Sequence, residues 1–206
     1  MIEQERAATQ LYADSQYRIV DKQPDFNKWR RHLSQHESWL TSIGFHRLAT
    51  YINETSQSSG YPNTHLVFTG KSYPVQFCIT YMTIRRIFPI IGYTVPFPKI
   101  TGEKIVGISI ETLFTNGDVL ITMEEDSGCT WPPNYEFQCP DEAESISDFL
   151  DFHMNRHEEK VESGCHPVKW LSADQYMDYH KKQHEELAAL SIKETEKMFS
   201  DCESQY

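Results

Sequence analysis

The sequence predicts an α+β fold: an antiparallel β-meander of four to five strands with an N-terminal helix and two C-terminal helices packed against it. Three observations predict it. An apolar stripe at spacings of three and four runs from Phe26 to Ile43, and two more follow residue 140. Between them, residues 44–124 carry short runs of β-branched and aromatic residues. Short turn-forming segments join these runs, which favours antiparallel neighbours over the long crossovers of a parallel sheet. All 206 residues are expected to form a single domain, a length that hides enough surface to fold without metal or disulfide.

Residues 1–22 are polar with weak helical character and read as a loose arm or short helix. The first helix is expected over residues 23–43. Pro24 and Asp25 open it, and Phe26, Trp29, Leu33, His36, Leu40 and Ile43 form its stripe. Gly44 ends it, because glycine enters the left-handed region at no steric cost.

The sheet is assigned to residues 44–124. A first strand spans residues 45–52, followed by a polar loop over 53–63. Further strands span 65–69 and 74–84. Residues 87–102 (IFPIIGYTVPFPKITG) are apolar and aromatic, yet three prolines forbid an ordinary central strand. They read as a segment lying over the core or over a ligand. Two β-rich runs, 104–115 and 118–123, flank Asn116-Gly117, which predicts a hairpin with a type I′ turn.

Residues 124–140 form an acidic, proline-containing connection. The helical part is expected over residues 141–200. Ile146, Phe149, Leu150, His153, His157 and Val161 share one face of its first helix. Gly164 and Pro167 interrupt it, and Ser172 with Gln175 forms a capping box for the last helix.

Charge limits the function classes. The chain is −11 overall, and the excess is one-sided: residues 1–119 carry 12 Lys and Arg against 10 Asp and Glu, residues 120–206 carry 7 against 20. So negative a surface repels phosphate backbones and anionic lipid, so neither nucleic acid nor membrane is an expected partner. A basic protein partner would be attracted. The first ten residues show neither a basic leader nor an apolar h-region, so the cytoplasm is the expected compartment. Five widely spaced cysteines, none in a C-x-x-C pair, read as reduced structural thiols.

Motifs of chemistry are sparse. No phosphate-cradling glycine loop, G-x-S-x-G or H-E-x-x-H occurs, and adjacent Cys165 and His166 point their side chains apart. No cofactor is expected from any motif. Histidines recur at i,i+4 in three pairs, His32/His36, His153/His157 and His180/His184, a spacing that puts two imidazoles on one side of a helix. If the last two helices pack as a hairpin, His153, His157, His180 and His184 converge, with Glu158 or Glu185 nearby. The alternative cofactor is then a divalent transition metal.

The strand pattern, from Gly44-Phe45-His46-Arg47-Leu48 through residues 65–68, 75–82, 108–117 and 119–123, resembles that of an uncharacterised bacterial protein family. The resemblance covers about half the chain. It implies a β-meander and assigns no site.

The composition therefore favours an acidic binding protein without catalysis, of the kind exemplified by immunity proteins that neutralise a basic partner. Trp131, Tyr135, Trp170, Tyr176 and Tyr179 are its candidate anchors, since exposed aromatics dominate interface energetics. Two alternatives are the histidine metal site, as a metal-binding protein or enzyme, and a small-ligand pocket between the sheet and residues 87–102.

Overall fold

A computed structural model describes residues 15–20, 30–55, 63–70, 74–86, 101–123, 131–140, 145–169 and 172–203. Along them run β1 (Tyr17–Ile19), α1 (Arg30–Ser42), β2 (Phe45–Asn53), β3 (Asn63–Gly70), β4 (Gln76–Arg86), β5 (Thr101–Leu113), β6 (Val119–Met123), β7 (Tyr135–Gln138), α2 (Ile146–Glu162) and α3 (Ala173–Glu203). The fold is α+β, with a mostly antiparallel sheet.

The seven strands lie side by side in sequence order. Pairing is antiparallel from β1 to β6, and β7 joins β6 in parallel with Val119 opposite Tyr135. The sheet is thus wider than the four to five strands expected, and its last pair is not antiparallel. The extra strands fall where the sequence suggests an arm (β1) and a connection (β7). Three and four residues are too few for alternation to stand out from polar surroundings. Each still turns two apolar or aromatic side chains inward, Tyr17 and Ile19 from β1, Tyr135 and Phe137 from β7. On the opposite side of β7, Glu136 takes ion pairs from Arg156 and, at 3.1 Å, from Lys160, which fastens this edge to α2.

The hairpin between β5 and β6 forms, but not with a type I′ turn. Gly117 has φ of 89°, and no residue other than glycine has positive φ among the described residues, so Asn116 does not. Phe114 N–H donates to Asp118 O (2.8 Å) and Gly117 N–H to Phe114 O (2.9 Å). This is a three-residue loop, a tight turn followed by a left-handed glycine. Asn116 Oδ1 accepts from Asp118 N–H (3.1 Å), an Asx closure that a two-residue loop does not offer.

Helix ends follow local chemistry. Gly44 (φ 94°) ends α1 and Gly164 (φ 96°) follows α2. Ser145 caps α2, its Oγ accepting from Asp148 N–H (3.2 Å); the expected start at residue 141 lies outside the described residues. Ser172 Oγ accepts from Gln175 N–H (3.2 Å) and caps α3. The proposed cap and first stripe residues of α1, Asp25, Phe26 and Trp29, lie outside the described residues.

The helices do not share one face of the sheet. Phe45, Leu66, Phe68, Phe77 and Ile110 pack against Leu40 of α1 and against Phe149 and Leu150 of α2. The alternate residues Ala49, Tyr51, Val67 and Cys78 pack against Tyr176 and Met177 of α3. Successive strand residues point to opposite faces, so α3 covers the side away from α1 and α2. The unbroken burial of Leu66, Val67, Phe68 and Thr69 in β3 is the mark of a strand covered on both sides. Among the described residues no helix is long and apolar enough to cross a membrane.

Candidate functional site

The layer between the sheet and α3 is unusually polar for a buried interface, and it has two parts. The first centres on Glu111 of β5. Its neighbours Ile110 and Thr112 point to the α2 side, so Glu111 points to α3. It is directly opposite Gln76 on β4 and Ile121 on β6. Gln183 of α3 donates a hydrogen bond to its carboxylate, and burial outweighs that bond, pushing the carboxyl up to about 7. Gln183 Nε2 also reaches the Tyr179 hydroxyl at 3.3 Å. Tyr179 shares a hydrogen bond with Tyr135, whose own hydroxyl donates to Glu186 Oε2 at 3.5 Å. Burial raises both phenols, so they are neutral donors.

Gln76 completes this part. It is 2% exposed, and its Nε2 has no hydrogen-bond partner among the described residues. Directly across the ladder, Glu111 keeps partial exposure as a whole residue, while its carboxyl is buried. A buried donor without a partner therefore lies across the ladder from a carboxyl that burial holds out of water.

The second part surrounds Tyr17. Its ring meets Tyr51, His180 and His184 edge-on at centroid distances of 5.7, 4.8 and 5.1 Å. Tyr51 stacks on His65 (4.4 Å, 12°) and its hydroxyl lies 2.9 Å from His180 Nε2. His65 Nδ1 lies 2.9 Å from Thr80 Oγ1. Burial holds His65 down at about 3 and His180 at about 4; the neighbouring His180 lowers His65 further, and His184 lowers His180. These rings are therefore neutral near pH 7. His65 Nε2 and His180 Nδ1 have no partner among the described residues.

The four histidines of the metal expectation do not come together. His153 is fully buried on the other face, its Nε2 at 2.9 Å from Thr112 Oγ1 and its Nδ1 at 2.9 Å from Thr122 Oγ1. Burial holds it at about 3. His157 stacks on Phe114 at 5.9 Å on that side, and neither of its ring nitrogens has a partner among the described residues. His180 and His184 lie across the sheet with Tyr51 and Tyr17. Among the described residues no three His, Cys, Asp or Glu side chains are placed to hold a metal ion.

The aromatic anchors divide as well. Tyr176 is 1% exposed and belongs to the core, so it offers a partner no surface. Tyr135 is 9% exposed and Tyr179 partly buried, both within the Glu111 group. Trp131 is partly buried and stacks on Phe137 at 5.2 Å. Trp170 and residues 87–100 lie outside the described residues.

Sequence reasoning missed Glu111, Gln76, Gln183, His65, Tyr51 and Tyr17. One signal was present: Glu111 is the only carboxylate in residues 105–113, the β-branched stretch that enters the hairpin.

Comparison with protein-family models, with curated proteins and with solved structures finds no match.

Proposed function

We propose that the chain is a ligand-binding protein that holds a small polar molecule between the sheet and α3, against Glu111. One observation carries this reading: a buried carboxyl with no ion pair among the described residues lies across the ladder from Gln76, whose buried Nε2 has no partner among them. An unmet buried donor costs about 1–3 kcal/mol, and an occupant that bonds it recovers that loss. A carboxyl near its midpoint at pH 7, beside two neutral phenols, suits a neutral or cationic guest. Free thiols at Cys78 and Cys165 support a cytoplasmic setting.

The test is a thermal-shift screen of a metabolite library. A ligand at a hundredfold over its Kd stabilises the folded state by about 2.7 kcal/mol, a readily measured shift. Hits whose shift vanishes in Glu111→Met support the reading. A broad library with no such hit sinks it.

A second reading, an acidic protein that binds a basic partner, draws on the charge of residues 120–206. Exposed carboxylates of α2 (Asp148, Asp151, Glu158) and of α3 (Asp174, Asp178, Glu185) stand on opposite sides of the sheet. Such a partner therefore meets one acidic helix, not a single acidic surface. Its complex should weaken steeply with salt; salt-independent capture counts against it.

A further inference from the structure

The Glu111 site also constrains what its occupant looks like. Gln76 and Glu111 are directly opposite on β4 and β5 and share the face toward α3. Directly opposite residues bring their Cβ atoms to about 5 Å, yet Gln76 Nε2 makes no bond to the carboxylate. The pair thus places an unpartnered donor beside a carboxylate that accepts from Gln183, on the one face of the sheet. Flanking them are apolar Ile121, the next residue across the ladder from Glu111, and the rings of Tyr135 and Tyr179.

We infer that the occupant is a small planar cyclic amide, a ring with a carbonyl beside an N–H as in oxo-pyrimidines and oxo-purines, its carbonyl accepting from Gln76 Nε2 and its N–H donating to Glu111. It rests on the ligand-binding reading above and narrows it to one ligand class. Three considerations select that class. An amine or amidinium brings donors only, so it satisfies Glu111 and leaves Gln76 Nε2 facing another donor. A carboxylate or phosphate brings acceptors only and meets the Glu111 charge, with no ion-pairing cation at that carboxyl among the described residues. A cyclic amide matches both groups with adjacent atoms, and its flat ring suits the tyrosine walls. The recognised group is a free ring, because a polymeric nucleic acid is repelled by a chain of net charge −11.

The experiment uses the full chain and five probes in calorimetry and thermal shift: uracil, hypoxanthine, 1,3-dimethyluracil, benzamidine and benzoate. Uracil or hypoxanthine is expected to bind. 1,3-Dimethyluracil, which keeps the carbonyls and lacks any N–H, is expected to bind at least about tenfold more weakly than uracil, a loss of about 1.4 kcal/mol. Gln76→Leu and Glu111→Met should each weaken the cyclic amide by a similar factor, with the unliganded unfolding midpoints of the variants confirming that they fold. The dimethyl comparison is made on the wild-type chain and so stands even if a variant fails to fold. Equal binding of uracil and 1,3-dimethyluracil overturns the inference. Binding of benzamidine alone, lost in Glu111→Met, also overturns the amide class but leaves the ligand-binding reading in place. No binding by any of the five overturns the class, and the metabolite screen then decides the wider reading separately.

Discussion

Tyr51 and His180 join the sheet to α3: the hydroxyl of one lies 2.9 Å from Nε2 of the other. Tyr51 is 2% exposed and also stacks on His65, so one side chain of β2 ties together β3 and the covering helix. Tyr51→Phe keeps the stack and deletes the bond. His180 then has no partner for either ring nitrogen, because Nδ1 already lacks one among the described residues. Leaving a buried imidazole so exposed to desolvation should cost about 1–3 kcal/mol. Urea denaturation measures it, and an unchanged midpoint refutes the role given to this bond.

Acid should loosen the fold before it protonates surface carboxylates. Burial holds His65 and His153 at about 3 and His180 at about 4, whereas the unfolded chain takes up these protons near the ordinary imidazole value of 6.5. Groups with depressed folded values favour the native state above the unfolded value, and that contribution is lost as pH falls from about 6.5 toward 4. Glu111 has the opposite sign. Its folded value is pushed up to about 7, so the stability it lends is present below about 4.5 and disappears as pH rises through 7. Three histidines outweigh one glutamate, so the urea midpoint should drop between pH 7 and 5. Glu111→Gln should gain more at pH 8 than at pH 5. A flat wild-type profile from pH 7 to 5 contradicts the burial of these rings.

Much of the architecture was legible in particular residues, and the site was not. Gly44, Gly117 and Ser172 act through their immediate neighbours, so their roles as stops, turn and cap can be read from a few positions. The stripes of α1 and α2 are long enough to declare a period, and Leu40, Phe149 and Leu150 are buried as that period requires. The side of the sheet on which a helix lies depends instead on which strand residues alternate inward, and a helix stripe does not contain that information. For this reason His153 and His180 can look like partners and stand on opposite faces. Strands of three and four residues are shorter than any window in which alternation is visible. Glu111 follows Ile108, Ser109 and Ile110, an alternation that reads as a solvent-facing carboxylate until α3 is laid over it.

Two glycines of the β5 hairpin should respond oppositely to alanine. Gly117 has φ of 89° and open space around a prospective Cβ, so Gly117→Ala meets only backbone strain, about 1 kcal/mol. Gly107 has no such backbone conformation, and a Cβ there would meet Thr80 Cβ at an ordinary 3.9 Å. Gly107→Ala should therefore be neutral or stabilise by up to about 1 kcal/mol, since it narrows the unfolded ensemble. Paired denaturation curves give the comparison. Equal effects at the two positions would remove the case for a left-handed residue in this turn.

His153 is the sharpest test of whether the α2 histidines are structural. Its ring is fully buried with one threonine hydroxyl at each nitrogen, 2.9 Å away. A neutral imidazole has one N–H and one lone pair, so one threonine accepts while the other donates. Thr112→Val, Thr122→Val and His153→Leu each leave at least one buried group without its partner and should each cost about 1–3 kcal/mol. Replacing all three together removes every polar atom from the cluster, and apolar exchange of both partners is close to neutral. The triple variant should thus recover most of the loss seen in the singles, a strong departure from additivity. Simple addition of the three costs would instead mean that His153 makes its important contact elsewhere, and would reopen a functional role for the α2 face.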